Sequence, residues 1–213
     1  MTTKEQYIKL TDKIYKRYPN TKIKYKNEHW LWKRLPTKIK LAGTTMSKNT
    51  IWMPDRKPRF RMLAHEYQHL VDWNSMGTFG FGVMYLSPQI TSIVLIALAF
   101  VALMFGLKLF ALIMGIMGLI FLLPWPSRGR RYLEMKGYLM SMYIVAITNL
   151  DISAYRHYLV DVFTSWLYYK MVWTRSRASE LILEAAETID DKEAIANTSV
   201  AFKDVYEILT EIE

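Results

Sequence analysis

LAHEYQHLVDW, residues 63–73, decides how the rest of the chain is read. It holds two of the four histidines, His65 and His69, with Glu66 directly after the first. On a helix, positions i and i+4 share one face, a turn apart. The two imidazoles therefore stand side by side, as two ligands of a tetrahedral zinc must. Glu66 is turned about 100° from His65 on such a helix, beside the metal position and not on it. From there a carboxylate can take a proton from zinc-bound water, whose pKa the metal lowers to about 7, and pass it to the leaving amine. The competing reading is an amphipathic helix with two hydrogen-bonded histidines. Leu63, Leu70 and Val71 give the segment an apolar side, and Tyr67 and Gln68 are uncharged.

A catalytic zinc wants a third protein ligand and leaves the fourth position to water. The chain has no cysteine, so disulfides, iron–sulfur clusters and thiolate-bound zinc are excluded. Any zinc site must come from histidine and carboxylate. Asp72 lies roughly 10 Å of helix rise from His65, too far along the axis to share the metal. It is read as a cap or as support behind the ligands. His157 sits in an aromatic run that favours a core or substrate-facing role, though it can also serve as a ligand. Glu134 is the preferred third ligand: it is the only acid between Asp72 and Asp151, in a segment of helical pattern. Its alternative is an ion pair with Arg130 or Arg131.

Between the motif and Glu134 runs an apolar stretch from Ile90 to Trp125, with Lys108 as its only charge. It is too long for one span, since about 20 residues cross a bilayer core. One helix would put Lys108 near the middle, at about 2.5–3.5 kcal/mol. Two helices, about 90–105 and 109–124 with a turn at 106–108, remove both difficulties. A hairpin buried in a soluble core is the alternative. Two crossings return the chain to its starting side, which carries Glu134 back to the histidines. Arg128, Arg130 and Arg131 follow the run and place that side in the cytosol. The first twenty residues are charged throughout, so no signal peptide is expected and the N-terminus is read as cytosolic. The divisions are 1–87, the hairpin 88–125, and 126–213, with the first and last forming one catalytic unit.

The length of 213 residues suits one domain with a core, or a small domain plus membrane segments. Helical spacing of Tyr7, Leu10, Ile14 and Tyr18 predicts a helix over 3–18. Alternation predicts short strands at 21–26, at 37–43 with Ile39 and Leu41 inward, and at 49–54. The motif helix is expected from about Pro58 to Trp73, then a glycine-rich connector over 74–82. A further helix is expected over 152–175, with Trp166, Tyr168, Tyr169 and Trp173 partly at an interface. Two amphipathic helices broken near Asp190–Asp191 complete the chain. The fold class is α+β, mainly helical. Charge is uneven: residues 1–179 carry a net +17 and residues 180–213 a net −8. The acidic end reads as a solvated helical surface. The basic body suits anionic lipid or nucleic acid.

The pairing of His65, Glu66 and His69 with Glu134 in EMKGY (134–138), across a hydrophobic hairpin, resembles the gluzincins. It is most similar to the membrane-embedded branch that includes HtpX-type heat-shock proteases and CAAX prenyl proteases. The resemblance covers about residues 50–145. It implies a zincin-like minimal catalytic core and a Zn2+-dependent endopeptidase facing the cytosol, with peptide or protein substrate and a lipid bilayer as partners. It also implies an edge strand that pairs with extended substrate, assigned to 49–53. Gly137 and Tyr138 stand where that family has Ala and Asp. Tyr138 is read as a substitute hydrogen-bonding group or an oxyanion donor. The transmembrane helices that begin the family's chains are replaced by a basic segment.

Two other functions compete. A SprT-like, nucleic-acid-associated metalloprotease would use the basic and aromatic residues interleaved over 13–34. The hairpin favours lipid over nucleic acid. A non-enzymatic membrane interaction protein would carry the motif as a relic.

Overall fold

Helix α1 (Thr3–Arg17) opens with a reciprocal cap: the Thr2 hydroxyl accepts from the Glu5 amide, and the Glu5 carboxylate accepts from the Thr2 amide. Its apolar stripe buries Leu10 and Ile14 in the core. A computed structural model of the chain describes residues 1–35, 37, 44–87, 89–123, 125–166 and 170–211. After α1 come β1 (Lys22–Tyr25), a 3-10 turn (Lys26–Glu28), α2 (Trp30–Lys33), β2 (Thr44–Ser47) and β3 (Thr50–Met53). The sheet order is β1-β3-β2, with β1 parallel and β2 antiparallel to β3. The expected strand at 37–43, with Ile39 and Leu41, lies outside the described residues.

The strand at 49–53 was expected at an edge. It is the central strand, and β2 is an edge among the described residues. Order along the chain misleads because β3, the last strand made, lies between β1 and β2 and pairs with both. Ile51 and Met53 are fully buried between the sheet and the helices.

Helix α3 (Phe60–Leu86) carries the histidine motif and runs well beyond Trp73. The connector expected over 74–82 is helical on both sides of a single break at Gly77, whose φ of 72° is left-handed. The other glycines stay helical because packing overrides propensity. Phe81 stacks between Trp73 and Tyr85, at centroid distances of 4.2 and 5.7 Å.

The hairpin follows as α4 (Gln89–Met104) and α5 (Lys108–Leu122), with Gly106 at φ 74° in the turn. Both arms lie within two residues of expectation. Their mutual face is small: Ser92, Ala99, Ala102, Ala111 and Gly118 are buried. The Ser92 hydroxyl donates to the Gly118 carbonyl at 2.6 Å. A Cβ on Gly118 would meet Ile96 Cγ1 at 2.7 Å, so the arms approach as closely as glycine allows. The large apolar side chains point outward, with Met104 85 %, Phe105 76 % and Leu109 71 % exposed.

Helix α6 (Arg128–Ile147) returns from the hairpin and packs along α3. Next is α7 (Ile152–Thr164), which stops well short of residue 175. The Lys170 amide closes back on the Ser165 carbonyl at 2.9 Å, and Lys170 itself is left-handed at φ 44°. That conformation cannot continue an α-helix. Tyr168 and Tyr169 lie outside the described residues. Helices α8 (Arg175–Glu187), α9 (Lys192–Ala196) and α10 (Val200–Thr210) complete the fold, with Asp191 capping α9.

The acidic end is more than a solvated surface. Helix α10 lies against α1 and α3 and matches its acids to α1's cations. Arg17 pairs with Asp204 at 3.0 Å, Lys13 with Glu207 at 2.5 Å and Lys9 with Glu211 at 2.7 Å. The exposed pairs contribute little each. Asp204 differs: it is 3 % exposed and also accepts from the Tyr67 hydroxyl at 2.6 Å. The two residues between the motif's Glu66 and His69 are thus both held from behind, because Gln68 accepts from Ser199 at 2.7 Å.

Candidate metal centre

His65 and His69 project from one face of α3 toward α6. Their Nε2 atoms are 3.1 Å apart, and their rings meet edge to face. Two imidazole lone pairs at that distance repel unless a proton or a cation lies between them. Glu134 arrives from α6, with Oε2 at 3.6 Å from His65 Nε2 and 3.7 Å from His69 Nε2. One ligand atom from each of the three residues lies within 4.8 Å of the others.

The donor set fits zinc. Tetrahedral geometry with bonds of about 2.0–2.1 Å puts ligand atoms roughly 3.3–3.4 Å apart. The separations of 3.1, 3.6 and 3.7 Å bracket that value. His65 and Glu134 are each 9 % exposed and His69 less, so the cluster is buried with a narrow opening to solvent. Burial pushes the Glu134 carboxyl up, but hydrogen bonding and charge from the two histidines outweigh it and hold it well below the usual range. Burial pushes His69 down, and Glu134 reverses that, leaving it pushed up to about 9. The pocket is therefore built to hold positive charge beside the carboxylate.

Glu66 lies outside the cluster and points toward the sheet. The Thr45 hydroxyl on β2 lies 2.9 Å from Glu66 Oε2 and 3.0 Å from its carbonyl, which fixes the carboxylate toward β2, where its charge still favours the protonated form of His69. Next to it on the strand, Thr44 accepts from Lys26 Nζ at 2.6 Å. Lys26 is 1 % exposed and sits 4.3 Å over the Trp32 ring. Alternation along 21–26 reads Lys26 as solvent-facing. The chain leaves the strand at Tyr25 and turns it inward instead.

Burial pushes the Lys26 ammonium down to about 8 from its ordinary 10.5, with Glu66 opposing. Between those values the unfolded chain binds more protons than the folded one, so stability rises with pH across that window. Lys26→Met is expected to raise the thermal midpoint at pH 7, and the gain is expected to vanish above about pH 10.5. Thermal melts at stepped pH check this.

Of the other expected site residues, Tyr138 lies one turn beyond Glu134. Its ring sits edge-on to His65 at 4.6 Å and against Phe163 at 5.6 Å, so it walls the imidazole. His157 is exposed on α7 and is not brought to the centre. Asp72 is buried, accepts from Gln68 at 3.1 Å and pairs with Lys136, tying α3 to α6. The alternative of Glu134 paired with Arg130 or Arg131 gives way to the two histidines and Tyr85. The Tyr85 hydroxyl donates to Glu134 Oε1 at 2.6 Å, leaving Oε2 to face the histidines. Nothing in the sequence marks Tyr85 or Thr45. Gly137 was visible only as a departure from a pattern. Its reason is contact, since a Cβ there would lie 2.8 Å from His65 Nε2 and Cε1.

Comparison with family models, with curated proteins and with solved structures yields no match for this chain.

Proposed function

We propose that the chain is a zinc-dependent endopeptidase with a minimal zincin-like core, anchored in a membrane by the α4–α5 hairpin. The observation that carries the reading is the convergence of His65, His69 and Glu134 from two helices, with Glu66 fixed beside them. Bound zinc would polarise a water and bring its pKa to about 7. Glu66, oriented by Thr45, would supply the carboxylate that takes a proton from such a water and gives it to the leaving amine. Extended substrate adds beside β2, the strand that carries Thr45 next to the motif helix.

Among the described residues no single helix is both long and apolar enough to cross a membrane. The support for anchoring is the hairpin's inside-out packing. A soluble hairpin hides its large apolar side chains, whereas this one hides small residues and displays the large ones, the pattern of helices packed in lipid. The arms have 16 and 15 residues, or about 24 and 22 Å of helix. With the apolar turn added they approach the roughly 30 Å hydrocarbon layer. Lys108 at the tip can extend its ammonium to the far headgroups. At the hairpin's base Trp125 meets Trp173 at 5.6 Å, and Lys170 lies over both Trp166 and Trp173, a grouping suited to the interface. Arg130 is buried and leaves Arg128 and Arg131 for the lipid face.

Zinc content tests the reading. The purified protein is expected to hold one zinc per chain, and His65→Ala and Glu134→Ala are expected to lose it, by elemental analysis after dialysis. A wild-type protein without stoichiometric zinc overturns it.

A further inference from the structure

We propose that Gln89, Arg130 and Tyr85 form a positioning chain that ties the base of the hairpin to the third metal ligand, so that the seating of the hairpin sets the affinity of the centre for zinc. This rests on the metal-site reading above and concerns what holds Glu134 in place.

The chain begins at Gln89, the first residue of α4. Its Nε2 donates to the Leu123 carbonyl at 3.3 Å, where the hairpin ends, and its Oε1 accepts from Arg130 Nη2 at 2.7 Å. One amide therefore touches the entry and the exit of the hairpin and the helix that bears Glu134. Arg130 is 2 % exposed, and its guanidinium lies 5.3 Å from the centre of the Tyr85 ring. Tyr85 then donates to Glu134 Oε1 at 2.6 Å. Arg130 and Glu134 are four residues apart on α6, so they share a face.

The contact depends on how closely the helices approach. A Cβ on Gly129 would collide with the Met84 carbonyl oxygen, so the start of α6 and the end of α3 touch backbone to backbone. That contact brings Tyr85 within reach of Glu134. Stacking on Phe81, at 5.7 Å and 9° between planes, also holds the ring.

The chemistry explains why a ligand carboxylate needs this. The terminal torsion of glutamate is broad and nearly two-fold, so a free carboxylate presents either oxygen over a wide arc. A hydrogen bond to Oε1 fixes the plane and leaves Oε2 toward the histidines. Loss of such outer partners typically weakens metal binding 10–100-fold. Coupling is reciprocal: whatever steadies the hairpin base tightens zinc, and zinc steadies the base.

The test is zinc affinity of the full chain in detergent micelles, by competition with a chromophoric chelator, alongside the thermal midpoint of the metal-free protein. Tyr85→Phe is expected to weaken zinc about 10–100-fold while leaving that midpoint in place. Gln89→Ala is expected to weaken it several-fold alone and to add nothing in the Tyr85→Phe background, because both act through one path. Gln89→Glu keeps the acceptor for Arg130 but loses the donor to the Leu123 carbonyl, and is expected to weaken zinc less than Gln89→Ala does. Unchanged affinity in Tyr85→Phe, or losses that add in the double variant, overturns the proposal and leaves the zinc site standing. A wild type that binds no zinc removes both.

Discussion

Glu66→Gln is expected to keep stoichiometric zinc while peptide cleavage falls about 10²–10⁴-fold, the usual worth of a positioned acid–base group. The expectation follows from where Glu66 stands. It is outside the three-residue cluster, so its replacement removes no ligand atom. It is 4 % exposed, with Oε2 beside the Thr45 hydroxyl, and glutamine matches its size and can still accept there. What glutamine cannot do is take a proton from water. Zinc analysis of the variant, read beside cleavage of an unfolded protein substrate, separates the cases. Retained cleavage removes Glu66 as the base, and lost zinc makes it a ligand.

Gly137→Ala is expected to act on the metal instead, weakening zinc at least 10-fold, in the range seen when the support of a ligand is lost. Elsewhere in a helix this exchange stabilises by about 0.5–1 kcal/mol. Here the new methyl would lie 2.8 Å from two atoms of the His65 ring, closer than carbon side chains come. Tyr138 stands edge-on to the same imidazole, so the ring cannot simply turn aside. Gly115→Ala is the control, because nothing lies within 4 Å of its added carbon. The comparison is zinc affinity with circular dichroism of both variants. Equal affinity in the two would show that the His65 ring yields freely.

Signals confined to a few neighbouring residues could be read from the chain. His65, Glu66 and His69 announce themselves by spacing on one helix. The hairpin shows as an apolar run with a central glycine and lysine. Glu134 could be chosen because acids are scarce around it. Groups that owe their place to distant contacts gave no such signal. Tyr85 matters only because α3 and α6 touch at Gly129, and Thr45 only because β2 lies beside the motif helix. The sheet order misled for the same reason, since strand pairing is not the order of synthesis. The glycines of 74–82 were read together as a connector, but only Gly77 breaks the helix, and the turns after it pack Phe81 against Trp73 and Tyr85. The acidic end looked solvated because its partners in α1 lie far away along the chain.

That last contact governs timing. At about 5–20 residues per second of synthesis, the 137 positions between Tyr67 and Asp204 take roughly 7–27 s to make. The apolar hairpin emerges well inside that interval, while the histidine helix still lacks its backing from α10. Contacts this remote also close slowly, because a long loop must be ordered first. The ribosome-bound chain therefore presents an apolar hairpin before its histidine helix is fully supported. The cluster of His65, His69 and Glu134 is complete in sequence long before the helix that braces it has been made.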